Sequence, residues 1–389
     1  MKTSAFFRAA SAAALLLAAK APLPAQQPQV ATWNHPSSTG DWDDELKWSP
    51  IGVPTGNYHA IISQGTVTLG QPVTIKQFTI NGGGLTGSST LSVDGLFTAN
   101  GGGLGSGLQV LAKGGTAIPN AAPFAVWASL KNVAGQLATH SGASAIVLEN
   151  GGVIENFGTF KATGTGGMSG SVGPGSFENR GLFRCESGTA SSPYQITRPF
   201  NNYPLSDGID VSTSGVLALY AGISYAPVKT AGNGIVQIRG AYTFGAGTTL
   251  VHGNVDIRTN SDAALTIAGS MSCDGPLVLT SGALEVAAAA TLTCTGSVRL
   301  VRGTVKGAGT LVSKASLSID GQLGFTAVTV RNDPGGVIYL DASGYAVTMG
   351  KRGADPKLRR VAQPGRINPG RQRIKHSEYG ECGFQARQS

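Results

Sequence analysis

LTIAG at residues 265–269 is one copy of a five-residue phrase that returns along the chain. The same pattern stands at 292–296 (LTCTG) and 317–321 (LSIDG), and an earlier copy occupies 91–95 (LSVDG). The last three copies begin 27 and 25 residues apart. A repeat length between about 20 and 50 residues is typical of stacked solenoids, in which no single unit buries its own apolar face.

Each copy alternates apolar and polar residues before a glycine, which is the periodicity of a β-strand. A second phrase, NFGTF at 156–160, returns as NRGLF at 179–183, a period of 23 residues. Together the two repeats predict an all-β parallel β-helix with one coil per repeat. Asn156 and Asn179 are expected to stack as an internal amide ladder. The side chains expected to point inward and to stack by column are Leu265, Ile267, Met271, Leu292, Cys294, Val298, Leu317, Ile319 and Leu323.

Composition and charge narrow the possible functions. Glycine supplies 57 of 389 residues, and charged residues make up only 13%. The formal net charge of +8 is carried by the two ends of the chain, because residues 1–20 hold +3 and residues 351–389 hold +7, leaving −2 for the body. A nucleic-acid-binding fold carries its basic patch within the fold. The sequence therefore argues against nucleic acid as a partner.

The N-terminal residues predict export. Lys2 and Arg8 precede an apolar run at 9–19, and Ala25 offers a small residue for cleavage. This arrangement is typical of a secretory signal peptide over residues 1–25. No later stretch is apolar for long enough to span a bilayer. We expect a secreted, extracellular or cell-surface protein without a transmembrane segment in the mature chain.

The remaining chain divides into three parts. Residues 31–60, with Trp33, Trp42 and Trp48, are interpreted as an N-terminal aromatic cap. Residues 61–350 form the predicted β-helix, from which the proline-containing segment 194–205 is expected to loop out. Residues 351–389 are rich in Arg, Pro and Gly and are interpreted as a disordered basic tail. Alternative interpretations of this tail are an arm that attracts anionic surfaces and an out-of-frame read-through.

GDW at 40–42, KW at 47–48 and VP at 53–54, followed by an aliphatic strand, resemble a known family. They are similar to the segment that opens the autotransporter-associated β-strand-repeat proteins, which are large secreted β-helix proteins of planctomycetes and verrucomicrobia. The family usually has Asn-Trp where this chain has Lys47-Trp48. The resemblance implies a right-handed β-helix at the cell surface, so the predicted fold is an all-β, right-handed parallel β-helix (solenoid) with an N-terminal aromatic cap.

Catalytic motifs of other β-helix proteins do not assemble in the sequence. Asp43-Asp44, His252-Gly253 and Arg373-Ile374-Lys375 resemble fragments of the polygalacturonase pattern. The two aspartates precede His252 by about eight coils of this repeat length, whereas hydrolysis needs carboxylates within about 10 Å of each other. No histidine or cysteine spacing suits a metal site. The sequence therefore predicts no catalytic residues, no metal and no cofactor.

The cysteines and the tryptophans can each be interpreted in two ways. Cys273 and Cys294 are expected inside the solenoid on different strands of their coils, which favours single buried thiols over a disulfide. Trp33, Trp42 and Trp48 are interpreted as a lid over the first coil, near Ile61, Ile62, Val67 and Leu69. If their rings were exposed, they would instead form a carbohydrate-binding platform.

The sequence favours a non-enzymatic β-helix that acts as a structural or adhesion-like module at the cell surface. The alternative function is a carbohydrate-binding or polysaccharide-degrading protein that uses one face of the β-helix. Polysaccharides and cell-envelope components are the expected partner classes, and the sequence does not specify the oligomeric state.

Overall fold

The computed structural model describes residues 26–33, 39–259, 263–333, 337–340, 347–349 and 372–374. These residues form an all-β parallel solenoid of about 13 turns, which confirms the predicted β-helix. In the part of the chain so described, helical structure is confined to a 3-10 turn at Glu45–Lys47. The predicted signal peptide, residues 1–25, lies outside the described residues.

Three parallel sheets form the walls of the solenoid, and each coil passes through sheet I, then sheet II, then sheet III. Sheet I is built from Thr39–Asp41, Thr66–Leu69, Gly84–Gly87, Gly102–Leu104, Phe124–Val126, Ile146–Leu148, Met168–Ser169, Val255–Arg258, Leu277–Ser281, Val298–Leu300, Ser316–Ile319 and Val337–Leu340. Sheet II is built from Thr90–Val93, Gln109–Ala112, Ser129–Asn132, Gly152–Asn156, Gly175–Asn179, Ala264–Ile267, Ala283–Val286, Gly303–Lys306, Leu323–Thr326 and Val347–Met349. Sheet III is built from Gln29–Trp33, Phe97–Ala99, Thr116–Ile118, Leu137–His140, Thr159–Ala162, Leu182–Cys185, Gly208–Val211, Val228–Thr230, Leu250–Val251, Met271–Cys273, Thr291–Cys294, Thr310–Ser313 and Thr329–Asn332.

Five longer strands turn a corner and contribute to two sheets. Gly56–Ile62 and Val73–Ile80 join sheet II to sheet III. The strands that join sheet I to sheet II are Tyr194–Asn202, Val216–Ser224 and Ile235–Phe244. Two short strands pair antiparallel: Trp48–Ser49 against Gln29–Trp33, and Gln372–Ile374 against Val337–Leu340.

All nine side chains predicted to point inward are buried. Their predicted stacking is wrong, however, because Leu265, Leu292 and Leu317 lie in sheets II, III and I respectively. Met271 stacks on Leu292 and Val298 stacks on Leu317, so the seventh position of one copy meets the first position of the next. A full coil is shorter than the copy spacing: Leu265 pairs with Leu284, nineteen residues on.

The predicted amide ladder is confirmed and is longer than expected. Asn132, Asn156, Asn179 and Asn202 are buried on consecutive coils, and each of the first three side-chain amides donates to the next amide oxygen at 2.8 Å. Glycine follows two residues after Asn156 and Asn179 because the coils approach closely there. A Cβ at Gly181 would lie 2.0 Å from the carbonyl oxygen of Gly158. This contact explains the Asn-x-Gly spacing of the 23-residue repeat.

Three predicted segments can be compared with the observed strands. The solenoid begins at Gln29–Trp33, which already pairs with Gly56–Ile62, so the predicted cap 31–60 is built into the first coil. Tyr194–Asn202, which was expected to loop out, is a strand. The strand accommodates Pro199 because this residue lies where the register shifts between two sheets, so its missing N–H interrupts no regular hydrogen-bond ladder. Within the predicted tail 351–389, Gln372–Ile374 pairs antiparallel with the strand Val337–Leu340. The rest of 351–389 lies outside the described residues.

Candidate functional site

The three N-terminal tryptophans pack together inside the first coils. Trp33, Trp42 and Trp48 are 4%, 2% and 1% exposed. The Trp48 ring contacts both others edge to face, with centroids 5.2 Å from Trp33 and 4.9 Å from Trp42. Trp42 also reaches Phe78, at 6.3 Å between centroids. The cluster therefore covers the apolar interior of the first coils.

Hydrogen bonds fix two of these indoles in place. Trp42 Nε1 donates to the carbonyl oxygen of Pro54 at 3.2 Å, and Trp48 Nε1 donates to the carbonyl oxygen of Trp42 at 2.8 Å. Lys47 crosses the Trp33 ring, with its Nζ 5.8 Å from the ring centroid. This geometry supports the lid interpretation, because a carbohydrate platform needs exposed ring faces and these rings are enclosed.

The fragments of a hydrolase pattern are far apart. Asp43 and Asp44 follow the first strand of sheet I, whereas His252 follows the strand Leu250–Val251 about nine coils further along. Coils are spaced by about 4.8 Å, so some 40 Å separates the aspartates from the histidine. Among the residues that the structure describes, no group of three or more His, Cys, Asp or Glu side chains could hold a metal ion.

On the outer face of sheet III, the charged side chains largely neutralise one another. Glu186 accepts Lys161 Nζ and Arg184 Nε at 2.8 Å each, and Arg184 lies 3.8 Å from Asp210. Exposed pairs of this kind contribute little to stability, and their charge is already compensated. This face therefore offers few groups to a ligand.

The outer face of sheet II carries a different arrangement. Lys131, Glu155, Glu178 and Asn201 stand directly above one another on four consecutive coils. Within the described part of the chain, no Lys, Arg or His nitrogen lies within 4.0 Å of either glutamate. Like charges opposite each other on neighbouring strands are unfavourable. The two side chains therefore have no ion-pair partner among the described residues, and Glu178 Oε2 is buried without a hydrogen-bond partner.

Aromatic and cationic side chains border these carboxylates. Phe157, Arg180, Tyr203 and Tyr225 occupy the same corner position on consecutive coils, as their backbone hydrogen bonds show. Arg180 Cζ lies 3.9 Å from the Tyr203 ring centroid and 5.8 Å from that of Phe157. Lys131 Nζ lies 4.1 Å from the Phe157 ring centroid. Both cations thus lie over rings and leave the carboxylates without an ion pair.

We call the set of Lys131, Ser129, Glu155, Phe157, Glu178, Arg180, Asn201, Tyr203 and Tyr225 the sheet II patch. Hydrogen bonds hold its carboxylates: Asn201 Nδ2 donates to Glu178 Oε1 at 3.0 Å, and Ser129 Oγ donates to Glu155 Oε2 at 3.3 Å. The neighbouring Glu178 carboxylate, and then burial, raise the pKa of the Tyr203 hydroxyl. Carboxylates, an amide and aromatic rings on one face can bind a polyhydroxylated ligand by hydrogen bonding and stacking.

Sequence reasoning missed this patch, although the signal was present. Glu155 and Glu178 immediately precede the two asparagines of the 23-residue repeat, so the repeat itself places them on neighbouring coils. Trp127 was also overlooked; it is 42% exposed, whereas the other three tryptophans are buried.

Within the described residues, no helix is long and apolar enough to cross a membrane. Comparison of the chain with models of protein families, with curated proteins and with solved structures gives no match. The geometry of the sheet II patch is therefore the main indication of function.

Proposed function

We propose that the chain is a secreted or cell-surface β-helix that acts as a non-enzymatic structural or adhesion-like module and contacts its partner through the sheet II patch. The observation that carries this proposal is the pair Glu155 and Glu178, which forms no ion pair among the described residues, beside the rings of Phe157 and Tyr203. Polysaccharides and cell-envelope components are the proposed partners. We infer export from the signal-peptide pattern of residues 1–25. We also propose a relationship to the autotransporter-associated repeat proteins, which the sequence resembles.

The shape of the patch supports contact with an extended polymer. From Lys131 to Tyr225 it follows five consecutive coils, a length of about 19 Å along the solenoid axis. Its groups stand side by side on the outside of one wall, whereas the interior is filled by the apolar core and the asparagine ladder. A chain molecule lying along the axis could meet several of these groups at once, which favours binding.

A second candidate function is polysaccharide cleavage, favoured by the adjacency of the two glutamates. Neighbouring strands are about 4.8 Å apart, and the carboxyl groups of retaining glycosidases are about 5–5.5 Å apart. Catalysis additionally requires one carboxyl group to be protonated and the sugar bond to lie between the pair. Glu155 and Glu178 both point outward from one wall, which suits contact better than enclosure of a bond.

An assay of product release separates the two candidates. Purified protein is incubated with a panel of plant and bacterial polysaccharides, and new reducing ends and unsaturated products are measured. We expect none. The E178Q variant is compared with E285Q, because Glu285 lies in the same outward row of sheet II but is paired with Lys306 at 3.4 Å. Products that persist in E285Q and vanish in E178Q would replace the proposal with the enzymatic one.

A further inference from the structure

Cys273 and Cys294 are direct neighbours on adjacent coils of sheet III. Both are fully buried, and both occupy inward positions. This placement corrects the expectation that they lie on different strands of their coils. Parallel strands are spaced by about 4.8 Å, which falls within the range of about 4.4–6.8 Å between Cα atoms that a disulfide can bridge.

The two thiols already interact in their reduced form. The neighbouring thiol lowers the pKa of Cys273 and raises the pKa of Cys294. Cys273 Sγ also hydrogen-bonds the carbonyl oxygen of Gly275 at 3.4 Å. Both side chains therefore occupy the same inward column of sheet III.

Cys185 is a thiol of the same sheet that has no cysteine on the adjoining coils, and it donates to the carbonyl oxygen of Ser187 at 3.4 Å. It is fully buried, and its neighbours on the adjoining coils are Ala162 and Val211. Burial raises the pKa of Cys185 to about 11. Cys185 therefore serves as a matched control for Cys273 and Cys294.

We propose that Cys273 and Cys294 form a disulfide that joins two consecutive coils, with a small-molecule disulfide as the oxidant. The Cys273 thiolate attacks one sulfur of the oxidant, forming a mixed disulfide and releasing one thiolate. Cys294 then loses its proton and attacks the Cys273 sulfur, which forms the intercoil bond and releases the second thiolate. Two protein thiols are oxidised, and the oxidant is reduced to two thiols that take up the protons.

The burial of both sulfurs determines when the disulfide can form. Because neither sulfur reaches solvent in the closed solenoid, the oxidant meets them before the coil closes or during local opening. The bond closes a loop of about one coil and restricts the separation of the coils around it in the unfolded chain. Oxidised glutathione is a suitable probe because it supplies the required disulfide.

To test this proposal, the full chain is refolded from denaturant in a mixture of oxidised and reduced glutathione. Free thiols are alkylated under denaturing conditions, and non-reduced peptides are mapped by mass spectrometry. Wild type and C185A should each lose two free thiols and yield a peptide that links residues 273 and 294. C273A and C294A should yield no such peptide.

The wild-type peptide map decides the matter even where a variant fails to fold. Retention of every thiol in wild type would overturn the proposal. A glutathione adduct on Cys273 or Cys294 without the intercoil link, or a Cys185–Cys382 link in place of the intercoil link, would overturn it equally.

Discussion

His140 Nδ1 lies 2.7 Å from the hydroxyl oxygen of Tyr194, and both side chains are fully buried in the solenoid. On its other side, His140 Nε2 lies 3.0 Å from Asn120 Oδ1 and 3.2 Å from the carbonyl oxygen of Ser144. Because both of these partners are acceptors, Nε2 carries the proton and Nδ1 accepts from Tyr194. The network is complete with a neutral imidazole, and a second proton would face the tyrosine donor.

This geometry predicts that stability falls in mild acid. Burial lowers the pKa of His140 to about 4, from 6.5 in the unfolded chain. Between pH 4 and 6.5, His140 is protonated in the unfolded chain and neutral in the folded chain. The contribution of His140 to the free energy of unfolding is therefore fully present above pH 6.5 and declines by about 3 kcal/mol as the pH falls to 4. Urea unfolding from pH 7.5 to 4 measures it.

H140N should lose most of this pH dependence. The control is H59Q, because the pKa of His59 is also lowered by burial but its ring is only partly enclosed. H59Q should keep most of the slope. An H140N slope equal to that of wild type would contradict the assignment.

The asparagine ladder should be a major source of stability. Asn179 Nδ2 contacts the carbonyl oxygens of Gly181 and Gly208 as well as Asn202 Oδ1, so N179A leaves several buried polar groups without partners. We expect a loss of about 3 kcal/mol in the free energy of unfolding, measured in urea. N100A removes a similar amide pair on the exposed surface, with Asn81, and should cost less than about 0.5 kcal/mol. Equal losses in the two variants would refute the structural role.

The register of sheet III predicts opposite outcomes at adjacent positions. Leu292 is fully buried between Met271 and Leu311, whereas Thr293 points outward. L292D places an unpaired charge in the core and should cost about 4 kcal/mol. T293D should change the free energy of unfolding by less than about 1 kcal/mol. A tolerated L292D would show that the register is wrong.

The tryptophan cluster predicts a specific fluorescence response. Iodide should quench mainly Trp127, because Trp33, Trp42 and Trp48 are enclosed. W127F should therefore lose most of the iodide quenching seen in wild type, and added sugars should not change the remaining signal. Strong quenching in W127F that an oligosaccharide suppresses would restore the platform interpretation.

Local periodicity predicted the inward positions, because alternation within a strand depends only on neighbouring residues. Local periodicity could not predict the length of a coil. Leu265, Leu292 and Leu317 look alike in sequence because all three sheets use the same alternation, so copies from different sheets gave spacings longer than one coil. Contacts between coils depend on those lengths. The pairing of Cys273 with Cys294 therefore emerged only from the structure.

Polysaccharide binding by patch variants tests whether the protein contacts its partner through the sheet II patch. Wild type, the double variant F157A/Y203A and the control W127A, which removes an exposed ring outside the patch, are applied to an array of plant and bacterial polysaccharides and isolated cell envelopes. We predict that wild type and W127A bind at least one component alike and that F157A/Y203A binds it about tenfold more weakly or worse, since two stacking contacts are lost. Failure of wild type to bind any component, or undiminished binding by F157A/Y203A, would contradict the account.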